Sequence, residues 1–175
     1  MAVASGVLFL IVWVISPSQG LIARLMNRWD VMIRILRDDI LLGVIRFEEQ
    51  FKRPATREEL SPVFAESPVF SRMALFRLKN RHYLDVQSGN FKLTERGRRL
   101  AKKLLRSHRL WESYLVKNIG VREDHVHTTA ERLEHITDEN MREMLAKQLG
   151  DPKLDPHRKM IPEEEKPTAE TEKNK

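Results

Sequence analysis

No charged side chain occurs before Arg24, whereas the last thirteen residues, EEEKPTAETEKNK, are nearly all charged, polar or proline. This asymmetry divides the chain before any motif is considered. Within the charge-free stretch, Val7 to Ile15 form an unbroken apolar run, extended backwards by Ala2, Val3 and Ala4. A membrane-spanning helix needs about 20 apolar residues, a length reached here only by including part of SPSQGLIA. A signal peptide fits poorly, because no cation precedes the run and Arg24, Arg28, Arg34 and Arg37 follow it. By the positive-inside rule those arginines keep the downstream chain in the cytoplasm. Residues 1–22 therefore read as a hydrophobic, membrane-associated segment carrying a cytoplasmic domain. A buried core helix or a partner-bound arm is the bland alternative.

The remainder reads as mainly α. Residues 30–93 follow the order helix, helix, helix, hairpin. Ile33, Leu36, Ile40, Leu41, Val44, Ile45 and Phe47 recur at helical spacing. Thr56 and Glu59 form a capping box that predicts a short second helix, which Pro62 should end or kink. Ser67 then caps a third helix with Pro68 in its first position. YLDV, the turn SGN and FKL predict a tight hairpin, with Gly89 and Asn90 supplying positive φ. This order is a winged helix-turn-helix.

Residues 94–150 are wholly helical in pattern. Thr94 caps a long helix with an inner stripe of Leu100, Leu104, His108, Trp111 and Leu115, and Gly120 supplies a stop. A second helix covers about Glu123 to Ile136, and Asp138 caps a third that ends at Gly150. Residues 151–175 read as a loop and a disordered charged tail. A formal charge of +6 permits nucleic acid or anionic lipid as partner without demanding either. The absence of cysteine excludes disulfides, thiolate catalysis and thiolate zinc sites.

Two groups of side chains carry chemistry. His108 and Glu112 are four residues apart on the long helix. His127, Glu131, Glu134 and His135 lie on the next, inside an arc of roughly 100°. Imidazole and carboxylate donors converging from two packed helices suit a divalent transition metal. Ordinary solvated i,i+4 pairs are the alternative for any single pair. No nucleophile, Gly-rich phosphate loop or H-E-x-x-H signature accompanies them, so the chain does not read as an enzyme.

TERGRRLAKKLLRSHRLWESYLVKNIGV followed by VHTTAERLEHIT resembles the metal-binding and dimerisation domain of the diphtheria-toxin-repressor family of iron- and manganese-dependent regulators. The helix-helix-helix-wing order before it resembles that family's DNA-binding domain. The likeness covers roughly residues 31–162, and the family's SH3-like third domain has no counterpart. It implies that His108, Glu112 and His127 fall on the family's ancillary site. Glu131, Glu134 and His135 fall on its regulatory site, completed by a residue of the first winged helix, most plausibly Asp39. Position 131 is Cys in the iron branch and Glu in the manganese branch. This donor set suits Mn²⁺ or Fe²⁺, with Zn²⁺ also possible. Leu42 replaces a second acidic ligand of manganese-type members, which argues against a two-ion centre.

LFLIVWVISPSQGLIARLMNR resembles the end of the last transmembrane helix of manganese/zinc/iron ABC-transporter permeases, some of which are fused to a repressor-like domain. The chain thus reads either as the end of such a fusion or as a repressor-like protein keeping one membrane segment.

These readings imply a homodimeric, metal-dependent regulator that binds DNA through Ser67, Arg72, Arg77, Lys79 and Arg81. The strip Arg96, Arg98, Arg99, Lys102, Lys103, Arg106 and Arg109 is equally well read as a solvated face. Against base reading, family register turns Ser71, Leu75 and Leu78 inward on the recognition helix. Phe70, Arg72, Met73 and Ala74 are left facing outward, and a Phe70/Met73 pair suits a protein contact. The competing expectation is a membrane-tethered sensor that reports metal to an ABC-transporter permease with little or no DNA binding.

Overall fold

The computed structural model describes Gly6, Trp13, residues 20–65 and residues 67–163. The hydrophobic segment expected at residues 1–22 lies almost wholly outside the described residues, as does the charged tail from 164 on. No helix among the described residues is long and apolar enough to cross a membrane.

Helix α1 runs Leu21–Phe51 without interruption, so the expected boundary between residues 22 and 30 falls inside one helix. Its periodic stripe behaves as the spacing predicts: Ile33, Leu36, Ile40, Leu41, Val44 and Ile45 are buried. Each such side chain contributes about 1.5–3 kcal/mol by leaving water. Strand β1 (Ala55–Thr56) follows, then α2 (Ser61–Ala65) and α3 (Pro68–Asn80).

The capping box forms reciprocally: Thr56 N–H donates to Glu59 Oε2 at 2.9 Å, and Glu59 N–H to Thr56 Oγ1 at 3.4 Å. It closes a turn rather than opening a helix, because Thr56 is committed to β1. Helix α2 starts only at Ser61, and Pro62 sits in its first turn instead of ending it. There the missing N–H costs nothing. Ser67 is the N-cap of α3 but makes no side-chain capping bond.

Strands β2 (Leu84–Gln87) and β3 (Asn90–Leu93) form the wing. The positive-φ residues of the turn are Ser88 and Gly89, at 50° and 79°. Asn90 instead opens β3 opposite Gln87. β1 pairs antiparallel with β3, giving the order β1-β3-β2. A two-residue strand carries too short an alternation to be read from sequence.

Helix α4 (Glu95–Tyr114) is capped by Thr94, whose Oγ1 accepts from Gly97 N–H at 3.0 Å and donates to His82 O at 2.7 Å. A Cβ at Gly97 would lie 1.8 Å from the Tyr83 carbonyl oxygen, so glycine lets the helix abut the wing. A π turn (Leu115–Ile119) ends at Gly120, left-handed as expected. The helix expected from Glu123 is shorter: a 3₁₀ turn (Glu123–His125) precedes α5 (His127–Glu134). Helix α6 (Glu139–Leu149) is capped by Asp138, which accepts from Met141 N–H, and ends at left-handed Gly150.

α4 joins two cores. Its first half closes a cluster that runs from Ile33 to Leu105. Its second half supplies Leu110 to a cluster with Leu145, Ala146, Leu149 and Ile161, while Leu115 packs with Val126 and Ala130. Metal donors on α4 and α5 are thereby set against α1 of the winged helix.

Candidate metal centre

Two groups of donors converge between these elements. His108 and Glu112 of α4 meet His127 of α5, with one ligand atom from each within 4.8 Å of the others. Asp39 of α1 meets Glu134 and His135 at the end of α5 within the same limit. Glu131 joins neither group; it is exposed but lines a cavity of about 750 Å³ shared with Asp39, Glu134 and His135.

The first group is tightly wired. His108 Nε2 lies 2.9 Å from Glu112 Oε1, and His127 Nδ1 lies 2.5 Å from the same oxygen. Two donors on one dication lie roughly 3 Å apart, given metal–ligand bonds of about 2 Å. A metal could therefore replace the shared protons with little rearrangement. His108 and Glu112 are buried, and His127 is half exposed. Burial works against charge on His108, but bonds to Glu112 and Glu134 outweigh it and hold its pKa above the ordinary value. Burial likewise pushes against the Glu112 carboxylate, and the His108 bond overcomes it, leaving that pKa lowered.

The second group is looser. His135 Nε2 lies 3.3 Å from Asp39 Oδ1 and 3.9 Å from Glu134 Oε1. Its Nδ1 is buried without a hydrogen-bond partner, 3.7 Å from Asp38 Oδ2. Burial disfavours the charged ring, yet Asp38 and Asp39 push its pKa up to about 10. The groups touch through Glu134: its Oε2 lies 2.5 Å from His108 Nδ1. Burial raises the Glu134 pKa, and the His108 bond opposes that rise. Imidazole and carboxylate donors at ligand-scale spacing fit a first-row dication.

Two neighbours were not singled out by sequence. Asp38 is buried, accepts from Arg37 at 2.6–2.8 Å and stands behind His135. Such partners orient a ligating ring; the adjacent Asp-Asp pair was its only signal. His157 stacks on His127 with ring centroids 4.6 Å apart, and its Nε2 is buried without a partner. It is carried by the segment DPHRKMIP, whose Asp155 accepts from Lys159 N–H at 2.8 Å and lies 3.5 Å from Arg109. Read as loop, that segment gave its histidine no helical partner by spacing.

The expected recognition face differs at two positions. Ser71 and Leu78 are buried and Leu75 packs half-buried against the core, as expected, but Ala74 is buried with them. Phe70 is likewise half-buried against the core and tilted against Trp29. The exposed apolar side chains of α3 are Val69, Met73 and Phe76, the last 70% exposed. Arg72, Lys79 and Arg81 are exposed, whereas Arg77 pairs with Asp30 at 2.9 Å. In the strip on α4, Arg98 pairs with Glu48 at 2.7 Å. Arg109 is buried, bonded to Glu49 and to Met160 O, and so is a packing element rather than part of a solvated face.

Residues 94–163 match the iron dependent repressor metal binding and dimerisation domain. The chain is 31% identical over 165 residues to a probable metal transport system membrane protein of Chlamydia trachomatis, covering 90% of this chain and 36% of that protein. It is 41% identical over 73 residues to the iron-dependent repressor IdeR of Mycobacterium bovis, covering 42% of this chain and 32% of the repressor. The chain thus spans about a third of the length of these curated relatives. A solved manganese-dependent transcriptional repressor in complex with manganese superposes with a TM-score of 0.66 at 31% identity, over 73% of this chain and 58% of that one. Residues 94–163, which carry every clustered imidazole and carboxylate donor except Asp39, are thus similar to the metal-binding and dimerisation domain of iron-dependent repressors.

Proposed function

We propose that the chain is a metal-responsive regulator in which one divalent ion, Mn²⁺ or Fe²⁺, joins the winged helix to the metal-binding domain. The observation that carries this is the meeting of Asp39, on the long helix of the first cluster, with Glu134 and His135 at the end of α5, which packs in a different cluster. An ion held by donors on both units favours the arrangement that brings them together and shifts the population toward it. In a homodimer this would set the spacing of two winged helices for successive major grooves. Glu131 would swing in from the cavity wall as a further ligand. At the other cluster, His157 would join His108, Glu112 and His127. Arg72, Lys79 and Arg81 would contact phosphates, with Arg77 once released from Asp30, while Ser67 anchors the start of α3.

The test is calorimetric titration of the chain with Mn²⁺, Fe²⁺ and Zn²⁺, with Glu134→Ala beside it. Saturable binding that the variant loses supports the reading; equal binding by both proteins sinks it. Binding to a promoter fragment with and without Mn²⁺, and with Arg72→Ala, tests the output.

A second reading is favoured by the likeness to a metal transport membrane protein over 90% of the chain. In it the same sensor, held at a membrane through residues 1–22, reports to a transporter subunit through Val69, Met73 and Phe76. The expected Phe70/Met73 contact would then be a Met73/Phe76 contact. Mn²⁺-dependent sub-micromolar DNA binding that is unaffected by Met73→Ser would exclude that output.

A further inference from the structure

Arg46 lines the same cavity as Asp39, Glu131, Glu134 and His135, yet a guanidinium has no lone pair to give a metal. Its Nη2 is buried and has no hydrogen-bond partner. Its charge acts on both Glu134 and His108, placing it within electrostatic reach of both clusters. A guanidinium keeps its charge at any working pH, so an N–H withdrawn from water without an acceptor is costly. Two of the cavity's carboxylates are engaged elsewhere: Glu134 Oε2 with His108 and Asp39 Oδ1 with His135.

Charge and coordination point the same way. Arg46 and Arg132 line the cavity together with the three carboxylates of Asp39, Glu131 and Glu134. With a dication added and the His135 ring neutral as its ligand, these groups carry a single positive excess. Asp39, Glu134 and His135 offer three ligand atoms, and first-row dications take four to six. The remaining positions open on a cavity of about 750 Å³, far larger than a water needs.

We propose that Arg46 binds a small anionic oxygen ligand, a carboxylate or inorganic oxyanion, that enters this cavity with the dication and occupies an open position on it. A planar fork of N–H donors suits such a group, which it can grip through two parallel bonds. The proposal rests on the reading of the cavity as a metal site.

The experiment is titration of the full chain with Mn²⁺, free ion being read from its electron paramagnetic resonance signal. Bicarbonate, phosphate and acetate are added separately at constant ionic strength, with chloride as control. At least one oxyanion should tighten Mn²⁺ binding tenfold or more, and its identity separates the carboxylate from the inorganic class. Arg46→Gln should bind Mn²⁺ without any such enhancement, and Arg46→Lys, which keeps the charge but not the fork, should retain only part of it. An unchanged Mn²⁺ affinity of the parent protein in all anions overturns the proposal without recourse to a variant. Full enhancement in Arg46→Gln does the same. Glu134→Ala separates the two levels: if it binds Mn²⁺ like the parent, the metal reading itself fails, and the anion proposal with it.

Discussion

The two donor clusters use the same side-chain chemistry but are assembled differently. His108, Glu112 and His127 come from two helices of one domain and are already wired at 2.5–2.9 Å. Asp39, Glu134 and His135 come from two cores, and their contacts run from 3.3 to 3.9 Å. A preformed cluster has little to gain in shape from an ion. A loose one between separately packed units converts binding energy into relative position, because ligation is completed only when the units approach. On the proposed reading, the first cluster would hold its ion and the second would switch with it.

The strongest way to break this comparison is Glu134→Ala, because Glu134 belongs to one cluster and bonds a ligand of the other. Removing it leaves His108 Nδ1 buried without its partner and should destabilise the metal-free protein by about 3 kcal/mol, read as a lowered thermal midpoint. Mn²⁺ affinity at the looser cluster should fall by roughly 100-fold or more. Asp39→Ala sharpens the contrast, since Asp39 is half-buried and faces only the looser cluster. It should weaken Mn²⁺ binding roughly 10- to 100-fold while shifting metal-free stability by less than about 1 kcal/mol. An equal stability loss in the two variants would erase the distinction.

The remaining contrast lies in the pH dependence. The His135 pKa is pushed up to about 10, above its usual value of about 6.5. Its contribution to metal-free stability is therefore fully present below about pH 6.5 and is lost as pH rises through about 10. A metal must displace that proton, so affinity at the looser cluster should rise by up to about tenfold per pH unit between pH 7 and 9. Calorimetry in two buffers of different ionisation enthalpy should register close to one proton released per ion. No release would mean that the ring is already neutral and the carboxylates do not hold it charged.

Local signals were the most legible. Thr94 and Asp138 cap helices, and Gly120 and Gly150 end them, as capping chemistry predicts. The apolar stripe of α1 is buried as its spacing demands. What failed did so where neighbours far along the chain intervene. Thr56 pairs with β3, so its capping box closes a turn. Arg109 looks like a member of a cationic strip until Glu49, Asp155 and the Met160 carbonyl surround it. His157 has no helical companion, and only the fold of its segment back onto α5 stacks it against His127. On the recognition helix Ser71, Leu75 and Leu78 face inward as expected, but Phe70 packs against the core beside Trp29 and Phe76 is exposed instead.

By itself, the sequence determined the existence of most helices, the caps at Thr94 and Asp138, the stops at Gly120 and Gly150, the hairpin and most of the residues that could donate to a dication. Those properties depend on neighbours within one or two turns, where capping and hydrophobic period act. The resemblance anticipated the grouping of His127 with His108 and Glu112, and of Glu134 and His135 with Asp39; only the tertiary structure decided that Glu131 stands on a cavity wall and that Asp38 and His157 border the clusters. That division depends on how α1, α4 and α5 pack, and shifts of a few ångströms between helices decide whether two ligands can reach the same ion.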